Sequence, residues 1–246
     1  MPTGANNNKK YTYVWVSLVI LVFGILFIPR IVNRLKSGSV VQNNRLANSN
    51  GIADLSFIAN NGKKRTVPPF SFLNQDSLLI SNEDYLGKVY VVEFFFTTCP
   101  TICPIMTRNL VELQDTFKDD DFGVASFSIN PRYDTPTVLK KYASKYGIVD
   151  MDWNLMTGDQ ETIYDLANKG FYIIANEEEE APGGFEHSGA FALIDKQGYI
   201  RSRNDRFGNP LIYYRGTITE EQGTNNEGEA QQITMLKEDI KKLLAE

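Results

Sequence analysis

Two cysteines and one histidine are the residues of this chain whose types and spacing point to chemistry. They are Cys99, Cys103 and His187, and each is the whole supply of its kind or half of it. Cys99-Pro100-Thr101-Ile102-Cys103-Pro104 places two thiols four residues apart. If the second thiol opens a helix, both sulfurs can face one point, and the helix N-terminus favours thiolate there. Two thiolates suit Cu(I) or another soft metal, and one imidazole added to them gives a low-coordinate site that also tolerates Cu(II). A structural zinc ordinarily takes four protein ligands, and only three good ones exist. Two further readings of the pair stay open. Inert buried thiols would need no flanking prolines, and a thiol-disulfide oxidoreductase would more commonly carry C-x-x-C, one residue shorter than this pair. His187 separates the readings, because thiol exchange does not require it.

The elements around these residues must bring 99, 103 and 187 together. Val89 to Phe96 is a run of strand length, apolar but for Glu93, expected for a central strand buried on both faces. Met106, Leu110, Leu113 and Phe117 recur at helical spacing behind Pro104, a residue suited to a first helical turn. The cysteines therefore sit on a strand-to-helix loop. Phe122 to Ile129 reads as the next strand, and Asp134-Thr135-Pro136 as the cap of a helix that Gly147 stops. Trp153 to Met156 reads as a strand and Gln160 to Asn168 as a helix ending near Gly170. Phe191 to Ile194 and Tyr199 to Arg203 form a hairpin, and Ile233, Leu236, Ile240, Leu243 and Leu244 mark a closing amphipathic helix. Phe70 to Leu73 and Leu78 to Ile80 are short strands ahead of all these. The order predicts an α/β fold, a thioredoxin-like mixed sheet flanked by helices. His187 falls in the loop entering the strand at Phe191, which faces the cysteine loop in such a sheet, and Pro182-Gly183-Gly184 would let that loop swing.

Around this domain, residues 1–10 read as an N-terminal tail, 11–30 as a transmembrane anchor, 31–67 as a tether and 68–246 as the folded copper-binding domain. The run Tyr11 to Pro29 carries no charge and, at about 19 residues, reaches ~28 Å as a helix, nearly a bilayer core. Lysines precede it and arginines follow it, so charge does not set its orientation. No Cys follows it, which excludes a lipid-modified cysteine anchor, and no A-x-A-like site follows it to mark a cleaved signal peptide. The formal charge of −5 excludes a general nucleic-acid binder. The acidic runs Asp119 to Asp121 and Glu177 to Glu180 read as solvated loops, and Thr217 to Glu229 as a polar connection.

From about Pro68 to Arg203 the chain resembles the Sco/SenC family of thioredoxin-like copper chaperones. The resemblance is carried by Gly87-Lys88 leading into Val89 to Phe96, by Thr97-Thr98-Cys99-Pro100-Thr101-Ile102-Cys103-Pro104, by Ser128 to Pro136, and by His187-Ser188. It implies that Cys99, Cys103 and His187 bind copper. It further implies delivery of that copper to the copper-centre subunit of a haem-copper cytochrome oxidase, or reduction of that subunit's cysteines, with other copper carriers as further partners. The soluble domain would then face the periplasm or an equivalent space, held to the membrane by the N-terminal helix. Two positions depart from the family's pattern: Asn130 stands where Asp usually precedes Pro, and Glu186 where Asp often precedes the histidine. A membrane-anchored thiol-disulfide oxidoreductase using Cys99 and Cys103, with peroxide reduction as a variant, is the enzymatic alternative. An assembly factor that only docks on an oxidase would tolerate loss of both cysteines.

Overall fold

A computed structural model describes residues 9–36, 55–60, 62–205 and 209–246. The chain divides into two units, Met1–Asn44 and Arg45–Glu246. In the first, α1 (Lys9–Lys36) is a 28-residue helix that exposes Trp15, Val19, Ile20 and Leu21, with Phe23 stacked on Phe27. Among the described residues, no helix is long and apolar enough to cross a membrane.

The second unit starts earlier than the expected Pro68. Strand β1 (Leu55–Phe57) pairs antiparallel at the sheet edge, and β2 (Ala59–Asn60) and β3 (Lys63–Lys64) make a small hairpin. Leu55, Ile58 and Val67 are buried, so this stretch belongs to the core and is no tether. Its strands of two and three residues are too short to carry a readable period. β4 (Ser71–Asn74) and β5 (Leu79–Ser81) follow, then β6 (Val89–Phe95), whose seven residues are all buried. α2 (Cys103–Phe117), β7 (Phe122–Ser128), α3 (Pro136–Tyr146) and β8 (Trp153–Thr157) come next, with Gly147 closing α3 at φ 75°. α4 (Gln160–Asp165) runs into a π-helical turn, Leu166–Phe171, where the sequence predicts an unbroken helix. The wider turn seats Gly170 against Pro68, where a Cβ would come within 2.9 Å of the ring. It also turns Phe171 onto Phe94.

β9 (Ala175–Glu177) and β10 (Phe185–His187) pair with each other alone, a hairpin absent from the sequence reading. β11 (Ala190–Ile194), β12 (Ile200–Arg203), β13 (Tyr214–Arg215) and α5 (Ile233–Ala245) complete the unit. The main sheet runs β1-β12-β11-β6-β7-β8-β4-β5, with β13 beside β11. β6, β7 and β8 are parallel, and the flanking strands are antiparallel. Successive residues of a strand face opposite ways, so Phe94 and Phe95 of β6 identify the two layers. Phe95 meets Tyr142 of α3, which bonds Thr107 of α2, and Lys237 of α5 bonds Glu112 of α2. Phe94 meets Phe171 on the other side. The result is the mixed sheet flanked by helices that the alternating elements predict. Two arginines of β12 are buried beneath α5: Arg203 pairs with Asp239, and Arg201 with Asp195 and Glu246.

Candidate metal centre

The chain leaves the sheet at Phe95 and reaches α2 at Cys103 through a tight loop. Cys99 N–H donates to Phe96 O at 3.2 Å, and Ile102 O accepts from Ile105 and Met106 to begin the helix. Ile102 makes no side-chain cap, and Pro104 needs no partner for a missing N–H. The backbone N–H groups of Thr101 and Cys103 point to the Cys99 sulfur. Cys103, in the first turn, is 1% exposed, and Cys99 is 7% exposed.

His187 approaches from the β9–β10 hairpin rather than from a loop. It pairs with Ala175, whose N–H and C=O are both bonded by the Asn168 side chain at 3.2 and 2.8 Å. The π-helical turn thus fixes β9, the strand against which the histidine's own strand pairs. Its Nε2 lies 3.3 Å from Cys103 Sγ and 3.7 Å from Cys99 Sγ. The ring stands edge-on to Phe96, which also packs on Phe185, and its Nδ1 is buried with no hydrogen-bond partner. Two glycines let the hairpin come this close. A Cβ on Gly183 (φ +81°) would sit 2.8 Å from Phe96 and 3.2 Å from Pro100. One on Gly189 (φ +62°) would sit 2.3 Å from Thr217 and 3.2 Å from Ile102.

The two thiols are not equivalent. Cys99 is held far below the usual 9.0, at about 3, chiefly because the Cys103 thiol donates to its sulfur; His187 and the N–H groups of Cys103 and Thr101 add to this against the opposing effect of burial. Cys103 is pushed well above its usual range by burial and by the Cys99 sulfur beside it. Of the two, Cys99 is biased toward thiolate and Cys103 toward keeping its proton. Under α2 lies a buried carboxyl, Glu93 of β6, raised to about 7 by burial even though Ser126 Oγ donates to it at 2.7 Å.

Cys99, Cys103 and His187 are thus brought together, with all three donor atoms within 4.8 Å of one another. Two other expectations are corrected. Asp134 does not cap α3: Thr135 holds the N-cap position without a side-chain bond, and the Asp134 carboxylate turns inward to Thr97 and Ser128. Glu177, expected in a loop, lies in β9 and accepts from Gln160. Glu93 went unseen because an acidic residue in an apolar run gives no sign of what it faces. Asn168 went unseen because the strand it clamps is only three residues long.

Comparison with known proteins agrees with this fold. The SCO1 protein homolog of Bacillus subtilis is 36% identical over 137 residues, covering 54% of this chain and 70% of the relative. A SCO1/SenC family lipoprotein from Bacillus anthracis superposes with a TM-score of 0.61 at 31% identity, covering 74% of this chain and 96% of the other. BsSco, in a structure described as revealing a disulfide switch in a member of the Sco family of cytochrome c oxidase assembly proteins, gives a TM-score of 0.58 at 30% identity. That match covers 74% of this chain and 94% of the other. The SCO1/SenC family itself matches residues 58–214, a span that begins just after β1 and encloses Cys99, Cys103 and His187, and this chain belongs to that family.

Proposed function

We propose that this protein binds one copper ion through Cys99, Cys103 and His187 and hands it to the copper-centre subunit of a haem-copper cytochrome oxidase. The convergence of the three donor atoms within 4.8 Å carries the reading. Two sulfurs and one imidazole fit copper in either oxidation state and leave a structural zinc one ligand short. Copper is cargo here, so the site must also let go. His187 Nδ1 has no partner, so the ring is held by Phe96 and the hairpin, and its withdrawal breaks no hydrogen bond at that nitrogen. Because Cys99 is already thiolate and Cys103 is not, uptake near neutral pH releases about one proton rather than two. Titration of the reduced protein tests the reading. About one copper should bind, the Cu(II) form should absorb through sulfur-to-copper charge transfer, and His187→Ala should weaken Cu(II) more than Cu(I). Binding that is identical with and without all three residues sinks the proposal.

The unequal thiols favour a second reading, reduction of a disulfide on an exported copper protein. Cys99 thiolate would attack one sulfur of the substrate disulfide and displace the other as a thiolate. Cys103, losing its proton, would then attack Cys99 and release the second substrate sulfur. The substrate gains two electrons and the Cys99–Cys103 pair becomes a disulfide. Undiminished turnover in His187→Ala, together with no copper uptake by the wild type, selects this reading over the first.

Membrane attachment through residues 11–30, with the second unit on the periplasmic or an equivalent side, belongs to the same proposal. The uncharged run and the exposed Trp15, Val19, Ile20 and Leu21 of α1 support it. The full chain should remain in the membrane fraction after alkaline carbonate, and a chain lacking residues 1–36 should not. Release of both refutes the attachment.

A further inference from the structure

Asp134 is completely buried, a position that a carboxyl group holds when donors meet its oxygens. Three donors converge on it. Thr97 N–H donates to Oδ2 at 3.0 Å, the Thr97 hydroxyl donates to Oδ1, and the Ser128 hydroxyl donates to Oδ2. Thr97 follows the end of β6, Ser128 ends β7, and Asp134 itself precedes α3. The turn before it is fixed by Asp134 N–H to Asn130 O at 2.9 Å and Asn130 N–H to Ser128 Oγ at 3.2 Å. The carboxylate therefore joins three points of backbone at the end of the sheet where the cysteine loop begins. It is not consumed in starting α3, which opens on Pro136 with no side-chain cap.

Only Thr98 separates the clamped Thr97 from Cys99, too short a span to absorb a displacement. Phe96, on the other side of Thr97, is also the ring against which His187 stands. We propose that Asp134 is a positioning residue of the metal centre: its buried carboxylate clamps Thr97 and so holds the Cys99 sulfur beside Cys103 and His187. An amide would not serve. Both carboxylate oxygens accept, whereas Asn presents an NH2 where one of these donors already points.

The metal readout of this inference rests on the copper-binding reading, and its thiol readout does not. The variants are Asp134→Asn, Thr97→Val, which deletes one hydroxyl, and Thr97→Ser, which keeps it. Asp239→Asn is the control, since it removes a buried carboxylate from Arg203 under α5. Cu(I) affinity is measured by competition with a chromophoric chelator, and the Cys99–Cys103 disulfide equilibrium against glutathione on metal-free protein. Asp134→Asn and Thr97→Val should weaken Cu(I) binding about 10- to 100-fold, the usual loss when a ligand's supporting hydrogen bond is removed. They should also make the disulfide about tenfold easier to reduce, because the pair is held together less firmly. Thr97→Ser should restore both values, and Asp239→Asn should lower the melting temperature while moving neither. Values for Asp134→Asn and Thr97→Val that match the wild type in both assays, or equal losses in Asp239→Asn, overturn the inference. If Asp134→Asn does not fold, the Thr97 pair decides. If the wild type takes up no copper, the copper-binding reading fails and the glutathione equilibrium decides the inference alone.

Discussion

Alkylation of metal-free, reduced protein across pH 4 to 9 isolates the asymmetry of the two thiols. With its acidity near pH 3 rather than 9.0, Cys99 is fully thiolate at pH 5. An ordinary thiol is ionised there to about one part in ten thousand. Against that gain stands a loss of intrinsic reactivity. Thiolate nucleophilicity falls with basicity at a Brønsted slope of about 0.4–0.5, so six units cost about 300- to 1,000-fold. The net effect is a Cys99 about 10- to 30-fold faster than a free cysteine at pH 5, and about 100- to 500-fold slower at pH 9. Because Cys99 is 7% exposed, absolute rates also carry an access factor, and the shape of the profile is the decisive quantity. Iodoacetamide with intact-mass detection should give one modified thiol and a rate nearly flat from pH 4 to 9. Cys103→Ala removes the largest contribution to this raised acidity, so Cys99 should regain a rate that climbs with pH. A wild-type rate rising tenfold per pH unit between pH 5 and 8 would refute the reasoning.

Two further outcomes concern the fold. Glu93 titrates at about 7 in the folded protein against 4.5 usually, so the folded state binds more protons between those values and stability falls as pH rises through that window. Glu93→Gln should remove that fall, so that the urea stability difference between variant and wild type grows by about 3 kcal/mol from pH 4.5 to 8; an unchanged difference refutes the assignment. Asp239 accepts from Arg203 Nε at 2.7 Å, Arg203 Nη2 at 2.8 Å and Tyr214 at 2.7 Å. Asp239→Ala leaves a buried guanidinium with, among the described residues, Glu238 as its carboxylate partner and should cost about 3 kcal/mol, read as a lower urea midpoint.

The βα steps were legible because each carries a strong local signal. Val89 to Phe95 is apolar at every position but Glu93, Pro104 and Pro136 open their helices, and Gly147 closes one. The cysteine loop followed from those elements directly. Three features depended on partners far along the chain. Leu55–Phe57 is paired along its length by β12, and the β9–β10 hairpin is clamped by Asn168 at Ala175 and given room by Gly183 beside Phe96. Asp134 carries the local signature of a helix cap, yet its tertiary donors Thr97 and Ser128 outcompete that role.

The separation of the donors has a consequence for the growing chain. Cys99 and Cys103 emerge together, but His187 follows Cys103 by 84 residues and Cys99 by 88. It reaches them only after the π-helical turn, β9 and β10 have formed. A partly synthesised or misassembled chain offers a bare dithiol, and the complete three-donor grip exists only once the architecture is finished. The site is in this sense a coincidence detector for its own maturation: full-strength metal capture reports that two stretches of polypeptide made far apart in time have met correctly.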